Sequence, residues 1–113
     1  MNVEELTATI VERIRIGDET QDEWYYGLER CWQKEIKLLS YDIMQTINFI
    51  ENECDDEIFC WLGEVFEDVT ELTQSKEFVR TIKKRAKKVI DEKERRSVEI
   101  DVNFAENRLN EKL

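Results

Sequence analysis

At 113 residues the chain is one domain's worth, since domains cluster near ~100–150 residues. Its 41% apolar and 39% charged residues mark a globular protein rather than an acidic disordered tail. The absence of proline, with only three glycines, argues against turn-rich sandwiches and barrels, and the absence of histidine removes His-based triads and His-bearing metal sites.

Helical periodicity dominates from the start. Val3, Leu6, Ile10 and Ile14 recur at three and four, and Gly17 is a natural stop. Thr20-Gln-Asp-Glu23 fits a capping box for a second helix, whose stripe is Tyr25, Leu28, Trp32, Ile36 and Leu39, flanked by Trp24 and Cys31. Ser40 can cap a third helix carrying Ile43, Ile47, Ile50 and Cys54 inward. Asp55 and Asp56 offer caps for a fourth, with Ile58, Leu62, Val65, Phe66 and Val69 on its inner face. Ser75 can cap a fifth, with Val79, Ile82, Ala86, Val89 and Ile90 inward. Segment 91–96 reads as an exposed loop. In 98–104 apolar and polar residues alternate as in a strand, yet Val98, Val102, Ala105 and Leu109 also form a helical stripe with Ser97 as a cap. A lone strand would lack a partner, so helix is the expectation and strand the alternative.

The expected fold is therefore all-α: one domain over 1–113, a bundle of about six helices in antiparallel hairpins, with a short α-solenoid also compatible. The N-terminus lacks the basic and apolar regions of a signal peptide, and no apolar run approaches the ~20 residues that span a bilayer. Cys31, Cys54 and Cys60, an odd count without CxxC spacing, read as reduced thiols of a cytosolic protein.

The net charge of −10 would repel nucleic acid and anionic membranes, so a basic partner is expected. It is unevenly spread. Residues 1–77 hold 20 acids and 6 bases, a net of −14, whereas 78–113 hold 7 acids and 11 bases, a net of +4. No base lies between Lys37 and Lys76, a stretch with ten acids. Ordinary helix surfaces mix signs, because like charges at i, i+4 cost a few tenths of a kcal/mol. On a continuous fourth helix Glu57, Trp61, Glu64, Asp68 and Glu71 would share one outward stripe. With Glu53, Asp55 and Asp56 it forms a candidate partner-binding ridge: a large aromatic among carboxylates is the composition of an interface anchor. The alternative is that Trp61 packs at the core's edge and the acids are solvated. The basic residues Arg80, Lys83, Lys84, Lys87 and Lys88 suit a helix C-terminus or pairing with neighbouring acids. The two oppositely charged parts also allow a homodimer.

Catalytic and metal-binding signatures are sparse, and neither an enzyme nor a cofactor or metal is expected. Glu64-Val-Phe-Glu67 supplies one ExxE pair of the kind that holds Mg²⁺ in all-α nucleotide pyrophosphatases, but a second pair of ExxD type is missing.

The stretches Asp22-Glu-Trp-Tyr-Tyr-Gly-Leu-Glu29, Asp56-Glu-Ile-Phe-Cys-Trp-Leu-Gly-Glu-Val-Phe-Glu-Asp68 and Thr73-Gln-Ser-Lys-Glu-Phe78 resemble small helical immunity proteins of bacterial contact-dependent inhibition and related polymorphic toxin systems. The similarity covers roughly residues 20–110. The resemblance implies a cytoplasmic inhibitor of one cognate toxin domain. Such toxins are often nucleases, whose grooves present Lys and Arg to phosphates, and an acidic ridge presents a similar negative surface. The alternative function is an acidic adaptor or nucleic-acid mimic acting on a host DNA-binding protein.

Overall fold

The computed structural model describes residues 1–21 and 23–113. Helices follow one another in chain order: α1 (Val3–Thr20), α2 (Tyr25–Tyr41), α3 (Ile43–Asn52), α4 (Asp56–Leu62), a 3₁₀ turn (Gly63–Val65), α5 (Phe66–Thr73), α6 (Lys76–Lys87) and α7 (Glu92–Glu106). No strand occurs among the described residues, and α7 covers 98–104, so the helical reading of that segment holds.

The helix starts follow the chemistry of short polar side chains. The side chains of Asn2, Asp42, Asp55, Ser75 and Asp91 each accept the backbone N–H three residues on, answering one of the donors a helix N-terminus leaves open. Two of these correct the sequence reading. Asp42 rather than Ser40 opens α3. Asp91 rather than Ser97 opens α7, so 91–96 forms the cap and first turn of a helix and not a loop. Gly17 does not end α1; the helix runs one turn further and closes at Gln21, whose φ of 53° is left-handed and whose N–H reaches the Gly17 carbonyl. The capping box at Thr20–Glu23 does not form around its threonine. Thr20 is the last residue of α1 and donates its hydroxyl to the Ile16 carbonyl, and α2 begins at Tyr25 behind Trp24. Asp22 lies outside the described residues.

The core joins all seven helices. Leu6 and Ile10 of α1, Leu39 of α2, Ile50 of α3, Phe59 and Leu62 of α4, Phe66 and Val69 of α5, Phe78 and Ile82 of α6 and Val98 and Val102 of α7 are all buried together. Phe59, Phe66 and Phe78 meet ring against ring, with centroids 5.3 and 6.0 Å apart. Removing one such ring costs about 3–5 kcal/mol. Three residues of the predicted stripes depart from it: Ile90, past the end of α6, is 88% exposed, and Val3 and Tyr25 are exposed as well. Helix α1 packs along α2, while α3 packs on α6 and α7 closes over α5 and α6. These crossings between distant parts of the chain make one bundle, with a radius of gyration of 13.4 Å. No helix among the described residues is long and apolar enough to cross a membrane.

The fourth predicted helix is broken. The 3₁₀ turn at Gly63–Val65 separates α4 from α5. A Cβ on the buried Gly63 would overlap the Asp101 carboxylate of α7, so glycine here is a matter of room. Its φ of −52° makes no demand for one. A 3₁₀ turn advances ~120° per residue against ~100° for an α-helix, so three residues rotate α5 by roughly 60° relative to α4.

Candidate functional site

That rotation splits the predicted ridge, and the chain's own cations answer much of it. Asp56 pairs with Arg85 at 2.7 Å and accepts the Ile90 N–H at 3.0 Å. The Ile90 amide first, and Arg85 second, hold its carboxyl below the usual range. Glu64 receives two 2.7 Å bonds from Arg13, through Nε and Nη2, and a third from the Trp32 indole N–H at 3.1 Å. Arg108 pairs with Glu67 at 2.9 Å and more loosely with Glu71 at 3.7 Å. Asp55 is occupied as the cap of α4. Of the eight predicted residues, Glu53, Glu57 and Asp68 are exposed and make no ion pair among the described residues.

Trp61 does not stand out as an anchor. It is half-buried, and the Arg13 guanidinium lies 5.1 Å from its ring centre and 5.9 Å from that of Trp32. The two indoles thus flank a buried cation, a favourable arrangement because the ring faces are electron-rich. Arg13 was missed in the periodicity, although positions 6, 9, 10, 13 and 16 of α1 form the buried face.

Behind this cage carboxylates crowd together. Glu35 of α2 is 1% exposed and its Oε2 has no hydrogen-bond partner. Its pKa is pushed up to about 8, by burial first and then by nearby Glu64, with Arg13 opposing. Asp101, against Gly63, is pushed up to about 6 by burial and then by Glu64 and Glu67. Asp68 is also raised, by burial first and then by Glu67, with Glu29 of α2 contributing. Acids from α2, the 3₁₀ turn, α5 and α7 therefore lie close enough to raise one another, with Glu35 inside the fold. Among the described residues, no group of three or more acids and thiols is arranged to hold a metal ion. The cation facing Glu64 is Arg13.

The edge of this acidic region is aromatic. Tyr25, Glu29 and Trp32 follow at i, i+4 and i+7 on α2. Tyr25 meets Trp32 edge-on at 6.4 Å and Tyr26 at 6.2 Å. The Glu29 carboxylate raises the Tyr25 phenol. Trp24, Tyr25 and Tyr26 are 44%, 60% and 78% exposed. Trp24 is nonetheless held: its indole lies flat over Gly27, where any Cβ would overlap it, and the Arg30 guanidinium lies 5.8 Å from the ring. Beside it, Glu19, Thr20, Gln21, Glu23 and Trp24 line an open hollow of about 610 Å³.

No family model, curated protein or solved structure matches the chain.

Exposed Tyr and Trp side chains supply large contact area with little entropy to lose, and the carboxylates around them attract cations. Glu19 is already paired with Arg15 at 2.6 Å, so in the hollow it is the Glu23 carboxylate, beside the exposed edge of Trp24, that is open to a cation. The thiols are poorly suited to nucleophilic work. Burial pushes Cys54 up to about 12 and Cys60 up to about 11, and raises buried Cys31 as well, leaving all three protonated at neutral pH.

Proposed function

We propose that the chain is a cytoplasmic bacterial immunity protein that binds and neutralises one cognate toxin domain, a nuclease with a basic substrate groove. The supporting observation is the aromatic edge of α2, Trp24, Tyr25 and Tyr26, placed among Glu23, Glu29 and Asp68. This moves the contact surface from the α4 stripe to the α2–α5 face, with Asp68 common to both. The overall charge of −10 steers a cationic domain toward the chain. The aromatic anchors then slow its departure, and the bound chain excludes substrate from the groove.

The reading expects a toxin domain to be encoded next to this gene, and co-expression with that domain is the test. Wild-type chain should preserve growth and co-purify with the toxin. Glu29→Lys combined with Asp68→Lys should slow association about tenfold or more at low salt and flatten its salt dependence. These two positions avoid Glu64, whose reversal would also unseat Arg13. Unchanged association in the double reversal would remove this face from the reading. Inhibition of a host DNA-binding protein, with no adjoining toxin, would favour the adaptor alternative instead.

A further inference from the structure

Helix α6 carries the opposite sign from the rest of the molecule. Lys83 pairs with Glu106 at 2.9 Å, and Arg85 pairs with Asp56. Arg80, Lys84, Lys87 and Lys88 are exposed and form no ion pair among the described residues. A chain with ten excess negative charges has many acids with which to neutralise a basic helix, yet these four cations are left open. Cations near a helix C-terminus gain from the dipole, which accounts for Lys84, Lys87 and Lys88 but not for Arg80.

Arg80 and Lys84 border a cleft of about 660 Å³ between α3 and α6, where Met44, Ile47 and Leu113 supply apolar surface. Met44 is 57% exposed there. A smaller hollow of about 230 Å³ shares Glu51, Thr81 and Lys84 with it and carries the trough on to Lys88. Arg80, Lys84 and Lys88 are spaced at i, i+4 and i+8, about 6 Å per step along the axis. An acidic helix with carboxylates at the same period would match the ladder.

We propose that the α3–α6 trough is a second docking surface, which takes an acidic amphipathic segment of a partner polypeptide. Its carboxylates meet Arg80, Lys84 and Lys88, and an apolar side chain enters against Met44 and Ile47. Leu113 of the chain itself already lines this cleft, so an aliphatic side chain has a place there. The lining weighs against a nucleic acid: no aromatic ring is present to stack a base, and Met44 and Ile47 offer apolar surface that a phosphate backbone has nothing to fill. The inference is independent of the toxin reading, since it concerns the face of opposite charge.

Fluorescence anisotropy with a labelled helical peptide tests it. The probe carries glutamates at i, i+4 and i+8 and leucines on the adjoining stripe; controls replace Glu by Lys, or Leu by Ser, and a single-stranded oligonucleotide of equal charge is run in parallel. The Glu/Leu peptide should bind, with affinity reduced about tenfold or more by Arg80→Gln with Lys84→Gln and by Met44→Asp. Circular dichroism melting of the variants should match wild type, because all three positions are exposed. Equal binding by the Gln variants would overturn the proposal. So would equal binding of the Ser-for-Leu peptide, tighter binding of the oligonucleotide, or a wild-type self-association that those same substitutions abolish.

Discussion

Arg13 concentrates the structural electrostatics at the scale of one side chain. Its guanidinium is buried, forked onto Glu64 and covered by two indoles. Removing one partner of such a pair leaves the other charge without compensation. Arg13→Met should therefore lower stability by about 2–4 kcal/mol in urea unfolding, discounted from a fully buried pair because the Glu64 side chain remains 27% exposed. Arg13→Lys should recover only part of the loss, having a point charge in place of the fork. Glu35 acts in the opposite direction. Its folded pKa lies above the 4.5 of a free glutamate, at about 8, so between those values the folded chain holds the extra proton and stability falls as pH rises. Asp101 adds the same sign between 3.8 and about 6. Glu35→Gln should leave stability at pH 4 little changed and raise it at pH 8 by on the order of 1–2 kcal/mol, flattening the pH profile. An identical slope of stability against pH in the variant would show that Glu35 titrates as it does unfolded.

At the scale of elements, the caps were legible in part: two of the five predicted ones form, while Thr20, Ser40 and Ser97 do not cap. Asp55 and Ser75 cap α4 and α6 as their spacing predicts, because a cap is a local bargain between one side chain and one backbone amide. Competition between adjacent polar residues was not legible: Ser40 and Asp42 both precede α3, but α2 runs on to Tyr41 and takes Ser40 into its last turn, leaving Asp42 as the cap. The break at Gly63 depends on α7 coming close, a contact separated by 38 positions in the chain that no local pattern encodes. For the same reason the α4 stripe was drawn through a helix that is not continuous. Gly27 offers an element-scale test of the relocated surface. In Gly27→Ala the added methyl must displace the Trp24 ring, while helix propensity improves by up to ~1 kcal/mol. The variant should melt near wild type, shift the Trp24 indole N–H resonance, and bind the proposed toxin about tenfold more weakly. Unaltered affinity together with a shifted resonance would show that Trp24 is not an anchor.

For the whole molecule, composition predicted the all-α bundle well, because the absence of proline and a repeat of three and four leave few alternatives for burying 41% apolar residues. Charge was legible in amount and sign but not in arrangement. The uncompensated middle third of the sequence is answered from far away, by Arg13 in α1, Arg85 in α6 and Arg108 beyond α7. What remains is a balance between net repulsion and internal pairing, and ionic strength separates the two. Salt screens the repulsion among exposed carboxylates such as Glu53, Glu57 and Asp68, but acts less on the buried Arg13–Glu64 pair. If repulsion dominates, raising salt from about 0.05 to 0.5 M should raise the melting temperature by about 2–5 °C. If the pairs dominate, the temperature should fall. The increase is expected, because the −10 net charge survives every internal pair. A fall in chloride, repeated in perchlorate to exclude a specific anion effect at α6, would mean that the acidic face is neutralised from within and has little left to offer a cationic partner.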